Sequence, residues 1–114
     1  IEKKLRPVAI TIVDEWGWPV LIYKMDGAPY GYIEVSRDRA WTAAAFRFPS
    51  DSVSNEIGID YGVNWNEKLT VTAGGIPFKS QGLLFAIGVA GNKPHDDKEI
   101  VISVLKSINV ELIA

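Results

Sequence analysis

His95 is the only histidine of the chain, and it stands in the run Pro94-His95-Asp96-Asp97, directly beside two carboxylates. An imidazole in that setting can serve as an axial or hydrogen-bonding ligand to a bound cofactor, or join the two acids in a metal cluster. With one histidine, a Ser-His-Asp relay or a multi-histidine metal site within one subunit is hard to build. The plain alternative is an exposed loop histidine close to acids. Met25, the single methionine, opens the segment Met25-Asp26-Gly27-Ala28 at the end of an apolar run. Asp14 and Asp26 each close an apolar run; two carboxylates can divide acid and base roles, but short acids at turns more often bind their own backbone amides. The absence of cysteine removes disulfides, thiolate metal sites and thiol nucleophiles together. No residue is assigned a catalytic role.

Two glycine-rich stretches, Gly74-Gly75-Ile76-Pro77 and Gly88-Val89-Ala90-Gly91, invite a phosphate-cradle reading. Neither matches a P-loop or a dinucleotide fingerprint, and Asp96 and Asp97 at the following helix start would repel an anion. Glycine for tight turns and close packing is the stronger reading.

These groups must be held by a small number of elements. Val8 to Val13 is a dense β-branched run ending at Asp14-Glu15-Trp16-Gly17-Trp18-Pro19, and Val20 to Met25 follows at once, so the pair reads as an antiparallel hairpin. Ser36 to Phe48 lacks Gly and Pro, and Pro49 stops it; a helix is predicted there, with Ala40, Ala43 and Ala44 on one face that can approach a sheet closely. Ser50 to Lys68 reads as loop with a short helical turn at Val53 to Ile57, long enough to be a lid or interface segment. Leu69 to Ala73 has strand character, and Pro77 to Lys79 with Leu83 to Ala90 forms a second hairpin. Asp96, Asp97 and Glu99 in capping-box spacing open a closing helix whose apolar face is Ile100, Val101, Val104, Leu105 and Ile108. Val110 to Ala114 is either a last strand or a frayed end. The order of elements predicts a single α+β domain over residues 1–114, an antiparallel sheet covered by helices.

Composition limits the rest. A chain of 114 residues supports one modest core. Twelve basic and fourteen acidic residues give a net charge of -2 with no basic stripe, so a nucleic-acid partner is not expected. Apolar runs fall far short of a membrane span. With no signal segment ahead of Glu2-Lys3-Lys4, cytoplasmic residence is the expectation. Trp16 and Trp18 bracket Gly17 in a predicted turn and Tyr30 and Tyr32 follow Pro29; large rings at loops mark either a subunit interface or a ligand wall, against the alternative that they fold back onto their own core.

In order along the chain, Ile12-Val13-Asp14, Lys24-Met25-Asp26-Gly27-Ala28, Arg39-Ala40-Trp41-Thr42-Ala43, Gly74-Gly75-Ile76-Pro77 and Gly88-Val89-Ala90-Gly91 with Asp96-Asp97 resemble the motifs of the GlcG/HbpS-like family, the haem-binding or "haem-degrading" domain also found at the C-terminal end of PduO-type proteins. The resemblance runs from about Val8 to about Ile108. It implies a five-stranded antiparallel sheet with helices on its faces, profilin-like in outline, assembled as a homo-oligomer, and binding of haem or a related tetrapyrrole in some members. Family members usually begin with a full amphipathic helix, whereas only Ile1 to Arg6 precede the first strand here. A threonine linked to haem in some members corresponds to Lys93, and a histidine of the N-terminal helix serves PduO-type members. His95 and Met25 are then the ordinary iron-ligand candidates of this chain.

The leading expectation is an oligomeric binding protein for haem or another flat, partly apolar ligand, held in a cleft between the glycine turns. Met25, Asp26, Gly27 and Ala28 would form one wall and Gly74, Gly75, Pro77 and His95 the other, with Arg39 meeting an acidic substituent. Two alternatives stand beside it: an enzyme or accessory protein for small hydroxy- or keto-acids, and an assembly module without ligand in which the glycines serve packing alone.

Overall fold

The first hairpin forms around a rigid acid-capped turn. In the computed structural model, which describes residues 4–57, 68–108 and 110–113, β1 (Ala9–Asp14) and β2 (Pro19–Lys24) pair antiparallel. The Asp14 carboxylate accepts the N–H of Trp16 at 2.9 Å and of Trp18 at 3.1 Å, while Gly17 takes φ 86°. Asp14 is therefore a turn acid.

α1 (Gly31–Phe46) begins five residues before the stretch predicted from Ser36. The extension is wound by the chain after Pro29: Tyr32 N–H bonds to Pro29 C=O at 3.2 Å and Ile33 N–H to Tyr30 C=O at 3.0 Å, so Gly31 lies in a first turn where its flexibility costs little. The helix stops at Arg47, which adopts φ 65°, just before Pro49. A short helix, α2 (Val53–Ile57), follows where a helical turn was expected; the rest of the predicted lid, residues 58–67, lies outside the described residues.

Leu69 to Ala73 is not a strand, despite its β-branched content. Side chains take the backbone bonds a ladder would need: Thr42 Oγ1 accepts from Thr70 N–H at 3.0 Å, Thr70 Oγ1 accepts from Thr72 N–H at 3.3 Å, and Ser50 Oγ donates to Thr72 C=O at 2.6 Å. The strand starts instead at Gly75. β3 (Gly75–Ser80) and β4 (Leu83–Ala90) form the second hairpin, and a two-residue β5 (Glu111–Leu112) pairs with β3. The sheet is five-stranded and antiparallel in the order β2-β1-β4-β3-β5.

The two faces are built differently. On one, α1 lies directly on Gly75 and Gly88, which stand opposite each other in the β3–β4 register; a Cβ on Gly75 would strike the Arg39 carbonyl, and one on Gly88 the Ser36 carbonyl. Ala40, Ala43, Ala44, Ala86 and Val13 fill what remains. Thr11 and Ser36 meet there through their hydroxyls at 2.7 Å, and since Ser36 gives its one proton to Ile33 C=O at 2.8 Å, Thr11 is the donor between them.

On the other face, α3 (Pro94–Ser107) packs Val101 and Leu105 against Ile76, Phe78, Ile87 and Val89, and Phe78 stacks on Phe85 with ring centres 5.7 Å apart. α3 starts at Pro94 with no side-chain cap, so the expected capping box does not form. Asp97 is used elsewhere.

Candidate functional site

The candidate residues lie around one end of the sheet, where β1 begins and where β2 and β4 end. Gly27, at φ 90°, lets the chain turn after β2, with Ala28 N–H bonded to Met25 C=O at 3.1 Å. Met25 N–H donates to Val8 C=O at 2.9 Å, and its Sδ accepts from Val8 N–H at 3.4 Å. Across the β1 entry, a Cβ on Gly91 would lie 2.6 Å from Pro7 C=O, and Asn92 grips Arg6 through bonds of 2.8 and 3.2 Å. Arg6 to Val8 thus runs between the Met25–Ala28 turn and the Gly91–Asn92 turn. The hollow expected between these glycines is filled by the chain's own backbone.

The second expected wall is not a surface either. Gly74 and Gly75 form the bed of α1, where any side chain at 74 would meet Val89 C=O and the Arg39 side chain, and Pro77 is fully buried. Arg39 is likewise internal: its guanidinium donates to Asp97 Oδ2 at 2.8 Å, Val89 C=O at 2.6 Å and Thr72 Oγ1 at 3.2 Å, with both ion-pair partners buried. Asp97 completes its own bonding by accepting Asn92 N–H at 3.1 Å. Arg39 and Asp97 join the helices of opposite faces past the end of β4.

His95 remains at the surface, in the first turn of α3, with Nε2 3.3 Å from Asp96 Oδ1. It borders a groove of about 370 Å³ lined also by Lys4, Arg6, Lys93, Asn92 and Leu5. Through Leu5 and Asp96 this groove shares lining with a second, about 340 Å³, whose apolar members are Ile100 and Val104. Together they present an apolar strip, bordered by Glu99, ending in three cationic side chains, an imidazole and the Asp96 carboxylate, so an acidic substituent is met on the Lys4, Arg6 and Lys93 side of the groove. Such a surface suits a flat apolar body bearing carboxylates. Lys4, Arg6 and Asn92 were not marked by any sequence motif; only the fold brings them to His95. A separate depression of about 270 Å³, beside Trp41, is lined by Glu34, Arg37, Asp38 and Lys68 and carries both charge signs. Among the described residues no group of three His, Asp or Glu could hold a metal ion, and no helix is long and apolar enough to cross a membrane.

Residues 1–106 match the model of the family described as "Haem degrading protein HbpS-like". The chain belongs to the HbpS-like family. Among curated proteins this HbpS-like chain is 27% identical over 110 residues to the corrinoid adenosyltransferase PduO of Citrobacter freundii and 26% identical to that of Salmonella typhimurium. It spans about a third of the length of these relatives (33% of each, against 91% of itself). Among solved structures it is similar to the PduOC:heme complex, with a TM-score of 0.82 and 26% identity over 95% of this chain and 83% of that one. The crystal structure of HbpS has the same fold, with a TM-score of 0.77 and 24% identity over 91% and 75% of the two chains.

Proposed function

We propose that this HbpS-like domain is a small-molecule binding protein for haem or a related tetrapyrrole, and that it works as a homo-oligomer. The observation that carries the reading is its similarity to the PduOC:heme complex, joined to a groove whose donor set fits such a ligand. His95 would offer the iron an imidazole nitrogen, and Lys4, Arg6 and Lys93 would meet carboxylates. Leu5, Ile100 and Val104 would lie along the apolar ring. Bound haem supplies the iron chemistry; the protein's part is to orient the ring and neutralise its acids. At about 370 Å³ the groove is near the lower end of the ~300–1,000 Å³ of small-molecule sites, so one subunit supplies part of an enclosure rather than all of it.

Titration with hemin tests this. Wild-type protein is expected to give a saturable, shifted visible band, and His95→Ala to weaken binding by about tenfold or more, roughly 1.4 kcal/mol per decade. Met25→Ala leaves the band in place, because its sulfur already serves Val8 N–H. A wild-type protein without a saturable band, or a His95→Ala protein that binds equally well, defeats the assignment.

A further inference from the structure

Among the described residues, β2 is an edge strand with neither face covered, and it carries no charge in its middle. Val20, Leu21, Ile22 and Tyr23 are all exposed, Leu21 and Tyr23 on the α3 side of the sheet and Ile22 on the α1 side. Natural edge strands are usually blunted by charge, proline or a bulge. Here Pro19 stands at the very start of the strand, the bulge lies opposite Val13, and Lys24 is at the end. The run from Leu21 to Met25 is left regular and open.

The bond from Met25 N–H to Val8 C=O fixes which backbone groups are free. By antiparallel alternation Tyr23 and Leu21 turn their N–H and C=O toward Ile10 and Ile12, so those of Ile22 and Lys24 point outward. From these facts we infer that a second copy of this chain adds its own β2 to this edge, antiparallel, about a two-fold axis through Tyr23. This centring uses the whole regular run: Tyr23 faces Tyr23 of the second copy, Leu21 faces Met25, and Ile22 exchanges ladder bonds with Lys24. Two aromatic rings meet at a non-hydrogen-bonded position, where cross-strand side chains lie closest.

Area supports the same occupant. Trp16, Trp18 and Tyr23 are 74%, 70% and 54% exposed. Taking ~150–250 Å² for a whole aromatic side chain, they offer roughly 300–500 Å² per copy. A standard interface buries about 800 Å² per partner, and Val20, Leu21, Ile22 and Met25 supply much of the remainder. The register also carries the Asp14-capped tryptophan turn of one copy alongside the Met25–Ala28 turn of the other. The second copy therefore adds Leu21 and an indole-bearing turn to the neighbourhood of Met25, and this strand pairing does not rest on the proposed function.

Because the chain has no cysteine, single cysteine variants give an unambiguous readout. Tyr23→Cys places two thiols on the axis with Cα atoms about 4.5–5.5 Å apart, within disulfide reach. Ile22→Cys places them about 8 Å apart, beyond it. Under mild oxidation Tyr23→Cys is expected to give a covalent dimer at several-fold the yield of Ile22→Cys, and light scattering on the wild type to give the mass of a dimer or a multiple of it. Tyr23→Lys, which sets like charges across the axis, is expected to halve that mass. A monomeric wild type, equal cross-linking at 22 and 23, or an unchanged mass in Tyr23→Lys overturns the pairing. Hemin titration of the same wild-type sample reports on the ligand separately, so a dimer without a hemin band sinks the proposed function and leaves the strand pairing standing.

Discussion

Replacing Asp97 by alanine will lower the stability of the fold by about 3–5 kcal/mol, the usual cost of stranding one member of a buried ion pair. The Arg39 guanidinium keeps only Val89 C=O and Thr72 Oγ1 once the carboxylate is gone, and Asn92 N–H loses its acceptor as well. In a domain of this size that corresponds to roughly 12–20 °C in melting temperature, at about 4 °C per kcal/mol. Arg39→Met alone should cost a similar amount, since it leaves the buried Asp97 charge unpaired. The double variant Arg39→Met with Asp97→Leu should recover most of the loss, because two apolar groups of similar volume leave no stranded charge. Thermal unfolding of the three proteins checks this. A double variant no more stable than either single one would show that the pair acts through packing rather than charge.

The second large effect is expected from one methyl group. Gly88→Ala puts a Cβ into the Ser36 carbonyl and the Ala40 N–H of α1, and the obstacle is backbone that no side-chain rotation can clear. Either α1 lifts off the sheet or the strand buckles. Overpacking of cores commonly costs ~1–3 kcal/mol, and with both sides rigid the upper end or beyond is expected, about 12 °C or more of melting temperature. Gly75→Ala meets the Arg39 carbonyl in the same way. The two together would remove a large share of the ~5–15 kcal/mol that holds a typical domain, so the pair is expected to be unfolded by circular dichroism at room temperature. Gly82→Ala is the internal control: among the described residues nothing lies within 4 Å of its Cβ, and the strain of φ 78° is what opposes it. A Gly88→Ala protein that melts with the wild type would mean that α1 does not sit on the sheet as described.

Local chemistry made much of this architecture readable. Asp14-Glu15-Trp16-Gly17 announces a turn because an acid and a glycine are both needed there, and Val101 with Leu105 announces the buried stripe of α3 by its period. The small face of Ala40, Ala43 and Ala44 likewise pointed to a helix lying close on the sheet. What stayed hidden depended on partners far apart in the chain. Arg39 and Asp97 are separated by 58 positions, so Arg39 read as a partner for a ligand's acid and Asp97 as part of a helix start. Leu69 to Ala73 read as strand because threonine favours pleated backbone, but the same hydroxyls capture backbone groups once Thr42 and Ser50 are beside them.

The candidate site was legible only in part for the same reason. His95 stands out as a type, and it does border the cationic groove. The glycines stand out equally, yet a sequence does not distinguish a residue kept small to admit a ligand from one kept small to admit a helix. Gly74 and Gly75 belong to the second kind, and Gly27 and Gly91 border the chain's own Arg6–Val8 segment. Lys4, Arg6 and Asn92 carry no local signal.

The glycine bed under α1 also divides the molecule into an unforgiving half and a permissive one. Around Ser36, Ala40 and Ala43 the spacing between layers leaves no room for a larger group, so a library of random variants screened for folding should retain almost the starting residues there. Under α3 the layers are held apart by leucine, isoleucine, valine and phenylalanine, which can trade volume among themselves. Survivors of such a screen should accumulate their changes on that side, and anyone re-engineering this scaffold would find its freedom there.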